Sequence, residues 1–104
     1  MKACIVAITT VSTKRDAEKI ARALVEERAA ACVQIVGPIH STYRWKGRVE
    51  SSKEWLCLIK ATRSSFSRIR RVVKKMHPYE LPELVALPIV EGSGEYLAWI
   101  SGMA

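Results

Sequence analysis

Residues 31–45, ACVQIVGPIHSTYRW, and residues 48–61, RVESSKEWLCLIKA, flank Lys46-Gly47. They read as the two arms of one long β-hairpin. In the outer first arm Ile39, Ser41, Tyr43 and Trp45 alternate with His40, Thr42 and Arg44, the period-two pattern of a half-buried strand. The second arm continues it, with Trp55, Cys57 and Ile59 against Leu56, Leu58 and Lys60. Gly37-Pro38 interrupts the first arm, and a proline without a donor calls for a bulge or bend. Fully extended, 48–61 spans roughly 45 Å at about 3.3 Å per residue. A domain of this size has a diameter of roughly 35 Å. The hairpin therefore overhangs its own domain and exposes ladder groups and aromatics that a second chain must cover.

Outward from the hairpin, the elements alternate. Met1-Lys2-Ala3-Cys4-Ile5 runs directly into a strand, and Cys4–Thr9 is apolar on both faces, as in a central strand. The apolar stretch ends in Thr9-Thr10 and a charged segment, which excludes a signal peptide and makes the cytoplasm the expected location. Thr13 and Asp16, with Ser12 as the rival cap, open a helix whose stripe is Ala17, Ile20, Ala21, Leu24 and Val25, with Glu18–Arg22 as a surface pair. Ser64 or Ser65 caps a second helix with the stripe Phe66, Ile69, Val73 and Met76. That helix stops at His77-Pro78. Leu84–Val90 reads as a second central strand, and Glu95–Ile100 as a short aromatic helix over an open edge or another subunit. The order predicts an α+β fold, a ferredoxin-like βαββαβ sandwich filling residues 1–104 as one domain, with a long hairpin and a C-terminal helix.

Composition narrows the function. No apolar run is long enough to span a membrane. Cys4, Cys32 and Cys57 lie in strand-like apolar runs without metal-ligand spacing and read as small hydrophobes. Asparagine is absent and Gln34 is the single glutamine, the amide-poor composition of a thermostable protein. The formal net charge is +7, and the second helix carries Arg68, Arg70, Arg71, Lys74 and Lys75 with no acid. This face reads as a phosphate-binding surface or as a solvated helix end whose cations suit the dipole. The second reading is preferred, and no nucleic-acid partner is expected. The central runs 4–9 and 55–61 hold one aromatic between them, which excludes an RNA-recognition motif that stacks bases there. No nucleophile elbow, HExxH or glycine-rich phosphate loop occurs, so no catalytic residue is assigned.

Two clusters carry chemistry: Tyr43-Arg44-Trp45-Lys46-Gly47 at the hairpin tip, and His77-Pro78-Tyr79-Glu80 with Glu83. Two prolines stiffen the second. His77 reads as a metal ligand or as a histidine that bonds the last helical carbonyls. His40 reads as simply exposed.

Six runs together resemble the CutA divalent-cation tolerance family over nearly the whole chain. They are Ala30–Val33, Tyr43–Gly47, Leu58–Lys60, His77–Leu84, Ala86–Ile89 and Tyr96–Ile100. The resemblance implies a PII-like homotrimer that binds divalent metal, copper or zinc, with none required for folding. It also implies an inter-subunit crevice holding Tyr43, Trp45, Lys60, His77, Tyr79, Glu80 and Glu83. His77 is the implied metal ligand; the cysteine and second histidine that join it in some family members are Thr9 and Met76 here. The alternative reading is a sensor or scaffold whose Lys60 and basic helix meet a small anion or nucleotide in the same crevice. Light scattering at micromolar concentration is expected to give about three times the 11.6 kDa chain mass; a monomer mass would contradict the overhang argument.

Overall fold

The computed structural model describes residues 3–103; Met1 and Lys2, read above as the lead-in to the first strand, and Ala104 lie outside the described residues. The order is β1 (Cys4–Val11), α1 (Lys14–Glu26), β2 (Cys32–Trp45), β3 (Arg48–Thr62), a 3₁₀ turn (Arg63–Ser65), α2 (Phe66–Met76), β4 (Val85–Pro88) and α3 (Gly94–Met103). The sheet runs β2-β3-β1-β4 with every pair antiparallel. This is the expected ferredoxin-like arrangement.

One sheet face packs on α1 and α2. Ile5, Ala7, Val11, Cys57, Ile59 and Ala61 meet Ala17, Ile20, Leu24, Ile69, Val72 and Val73 there. Thr13 is the α1 cap, its Oγ1 accepting from Asp16 N–H at 3.1 Å. In α2 the buried turn uses Val72, while Met76, placed on the apolar stripe from sequence, is 36% exposed. Ser65 occupies the α2 cap position, yet its hydroxyl bonds Thr62 Oγ1 at 2.9 Å instead of capping. The expected Glu18–Arg22 pair is replaced by Arg22–Glu26 at 3.6 Å.

Two further expectations change. Leu84–Val90 is not a central strand: β4 is four residues long, lies at the sheet edge and pairs only with β1. Its apolar character serves both faces, but this chain covers neither, and Val85 and Leu87 are about half exposed. An edge also suits Pro88, which has no N–H for a second neighbour. The C-terminal helix covers the sheet's second face, not its edge. Ile100 and Leu97 pack on Cys4, Ala31 and Ile89 at one end of that face. The remainder of the face, including Val6, Ile8, Leu56 and Leu58, is only half-buried.

β3 pairs with β1 only from Trp55 to Thr62, so residues 48–54 pair with β2 alone. The outer hairpin is thus a two-stranded ribbon, and the molecule measures 44 × 25 × 22 Å. Lys46 and Gly47 both have positive φ, 51° and 78°, which makes the two-residue turn of a twisted hairpin. Gly37 and Pro38 together oppose Trp55, because the register jumps from Val36–Leu56 to Ile39–Glu54. Gly37 is required there, since an added Cβ would run into the Trp55 ring.

The bulge reverses the strand's parity. Before it, odd-numbered Val33 and Ile35 face the helices; after it, odd-numbered Ile39, Ser41 and Tyr43 pair with Glu54, Ser52 and Glu50 and face the other way.

Thr9 lies on the helix-facing side, fully buried, and its Oγ1 has no hydrogen-bond partner. An orphan buried hydroxyl is costly, so Thr9→Val is expected to stabilise the fold by about 1 kcal/mol, roughly 4–8 °C in Tm by thermal unfolding.

Candidate functional site

The loop between α2 and β4 is shaped by its prolines and by one imidazole. His77 ends α2 with extended backbone (ψ 131°), as the residue before proline must. Its ring is buried beside β1. Nε2 lies 2.8 Å from the Thr10 carbonyl, and Nδ1 lies 3.2 Å from the Tyr79 backbone N–H. A carbonyl only accepts and an amide N–H only donates, so Nε2 carries the hydrogen and Nδ1 the lone pair. Both ring nitrogens are engaged within the chain. The ring is therefore a clip between α2, β1 and the loop, with no lone pair left for an ion. Nor does it cap the last helical carbonyls, the other reading from sequence.

The Tyr79 ring stands edge-on to His77, centroids 4.7 Å apart, and its hydroxyl donates to Glu54 Oε2 at 2.7 Å. Burial raises the Tyr79 phenol well above its ordinary range; the bond to Glu54 and that carboxylate's charge raise it further, against a smaller lowering from Ser12. Glu54 is 6% exposed, a carboxylate sunk at the root of the ribbon. Sequence reading assigned it no role. The signal was its parity: Glu54 continues the Leu56–Leu58 face, where an acid is out of pattern.

Around this pair opens a cleft of about 780 Å³, lined by Thr10, Ser41, Thr42, Tyr43, Trp45, Ser52, Glu54, Tyr79, Glu80, Leu81 and Glu83. The parity change at Gly37-Pro38 brings Ser41, Tyr43 and Trp45 to it, and Tyr43 and Ser52 hydroxyls lie 3.2 Å apart on its wall. Five of the residues expected to share a crevice, Tyr43, Trp45, Tyr79, Glu80 and Glu83, do so within one chain. Lys60 does not line this cleft. It sits near the far end of β3, donating to Tyr96 Oη at 3.4 Å, with its ammonium 5.3 Å from the ring centroid. The cleft wall carries three glutamates and no basic side chain.

Thr9 points into the core; the β1 residue that lines the cleft is Thr10. Cys57 is a core thiol pushed up to about 11 by burial. Cys32 lies beside Tyr96, and Cys4 lies under α3. Among the described residues no three His, Cys, Asp or Glu side chains are grouped to hold an ion by themselves.

The model of the family described as CutA1 divalent ion tolerance protein matches residues 5–103. The chain belongs to the CutA1 family. The Divalent-cation tolerance protein CutA of Thermus thermophilus is 50% identical over 95 residues, covering 91% of this chain and 92% of that one. Human Protein CutA is 42% identical over 94 residues, covering 90% of this chain but 52% of its own length. The chain thus spans nearly all of the bacterial CutA and about half of the human one. Among solved structures, the Cut A1 protein of Thermus thermophilus superposes with a TM-score of 0.95 at 48% identity, covering 97% and 98% of the two chains. CutA1 from Oryza sativa gives 0.92 at 38% identity, covering 95% and 91%. No helix among the described residues is long and apolar enough to cross a membrane.

Removing the Tyr79 hydroxyl leaves Glu54 buried without its donor, so Tyr79→Phe is expected to cost about 1.5–3 kcal/mol at neutral pH. The sign at high pH is also fixed. The folded phenol keeps its proton above the unfolded pKa of about 10, so its contribution is complete below that pH and is lost as pH rises further. Unfolding across pH 8 to 12 should show wild type converging on the variant at the alkaline end.

Proposed function

We propose that this CutA1-family chain is a divalent-cation binding protein that uses the cleft between the hairpin root and the loop after α2. One observation carries the reading. On a chain of net charge +7, the cleft gathers Glu54, Glu80 and Glu83, and no lysine or arginine lines it. Such a wall lowers the potential where a cation would sit. The family's name, divalent ion tolerance, agrees with it, and points to binding rather than catalysis.

The donor set fits a cation of oxygen preference: carboxylates, with the hydroxyls of Ser41, Thr42 and Ser52 nearby. It does not fit a closed nitrogen–sulfur site, since His77 is committed to Thr10 and Tyr79 and no cysteine lines the cleft. Copper then outranks zinc only through the general order of divalent affinities. The ion would be held openly by Glu80 and Glu83, both exposed, with Glu54 contributing charge from beneath. Water or a neighbouring copy would supply the remaining ligands. A homotrimer suits the half-buried second sheet face and the exposed β4 edge, both of which need apolar partners.

Calorimetric titration with Cu²⁺ and Zn²⁺ in a non-chelating buffer tests this. Saturable binding is expected, stronger for Cu²⁺, and weakened about tenfold or more in Glu80→Gln/Glu83→Gln. Equal binding by wild type and the double variant would overturn it. Loss of binding in His77→Gln with the glutamates intact would restore the histidine as the ligand.

A further inference from the structure

The helix layer carries the opposite charge, and nothing in the cleft uses it. Arg68, Arg70, Arg71, Lys74 and Lys75 are all exposed on α2. At 3.6 residues per turn they fill an arc of roughly 160°, opposite the buried Ile69, Val72 and Val73. The neighbouring helix α1 carries Asp16, Glu18 and Glu26, and Glu27 follows it, yet among the described residues none of these forms an ion pair with α2. The single ion pair seen, Arg22–Glu26, lies within α1. Arg68 spends a donor on the Arg28 carbonyl at 3.3 Å, which fixes its side chain without neutralising it. Surface helices ordinarily intersperse signs; this one concentrates five like charges on about two turns and pairs none of them with an acid among the described residues.

Against the expectation from sequence that this face is merely solvated and has no nucleic-acid partner, we infer that the outer face of α2 docks on the phosphate backbone of duplex nucleic acid, without reading sequence. Charge complementarity argues for it. From Arg68 to Lys75 the helix rises about 10 Å at 1.5 Å per residue, and duplex DNA presents one charge per about 1.7 Å of axis, so five cations meet about six phosphates. The face carries no aromatic side chain, which removes the stacking platform a single strand needs. It also has no apolar residue within the cationic arc: Ser67 is its one other member, and Met76 lies outside it. A membrane-surface helix would place apolar groups beside its cations. The inference is independent of the cation site, which lies across the sheet on the hairpin side.

Fluorescence anisotropy of the full chain with a labelled mixed-sequence duplex tests it. If all five cations engage, the slope of log K against log salt is about −4.5, a fall of about 500-fold between 50 and 200 mM salt. In Arg71→Gln/Lys74→Gln/Lys75→Gln the slope is expected to drop to about −1.8, a fall of about tenfold over the same range. Lys46→Gln/Arg48→Gln, which removes charge at the hairpin tip, should keep the wild-type slope. The single exchange Lys74→Glu gives a second reading of the same surface with less change to the helix. Absence of duplex binding at low salt overturns the inference. So does an unchanged slope in the triple variant, or binding to phosphatidylserine vesicles without binding to the duplex.

Discussion

Strand β3 is longer than the sheet that contains it, and most of the architecture answers that mismatch. Its inner half is a central strand, flanked by β1 and β2 and pressed on the helices through Cys57, Ile59 and Ala61. Its outer half has β2 alone. A two-stranded ribbon is marginal in water on its own, so it needs anchoring at its root. The root is where Glu54 is buried, where Trp55 fills the space that Gly37 vacates, and where the loop after α2 reaches across.

That loop is tied at both ends by hydrogen bonds of different kinds. His77 joins the end of α2 to the end of β1 through a backbone carbonyl, and Tyr79 joins the loop to β3 through a buried carboxylate. The two side chains touch edge to face, so neither moves without the other. What results is a stiff floor beneath a cleft whose rim, Glu80, Leu81 and Glu83, is exposed.

Much of this was legible in the chain because the chemistry is local. The Lys46-Gly47 turn, the bulge at Gly37-Pro38, the Thr13 cap and the stop at His77-Pro78 each depend on residues a few positions apart. The misreadings involve distance. Nothing near His77 in sequence reveals that Thr10 offers it a carbonyl. Lys60 shares a strand with Glu54, and only the placement of Tyr96 and Tyr79 shows that they serve opposite ends. The apolar β4 looked central because pattern records which faces a side chain suits, not which chain supplies the cover.

The bulge has a bearing on how such a cleft can vary. Because two residues stand against one at Trp55, the ribbon beyond is a half-turn out of step with the strand before it. Shortening the arm by one position there would swing Arg44 inward and send Tyr43 and Trp45 out, with the fold's core untouched. The character of the receptor is thus governed by the length of a connector as much as by the letters at its tip. A lineage could trade the aromatic part of the lining for a cationic one by a single deletion, with the three glutamates left in place.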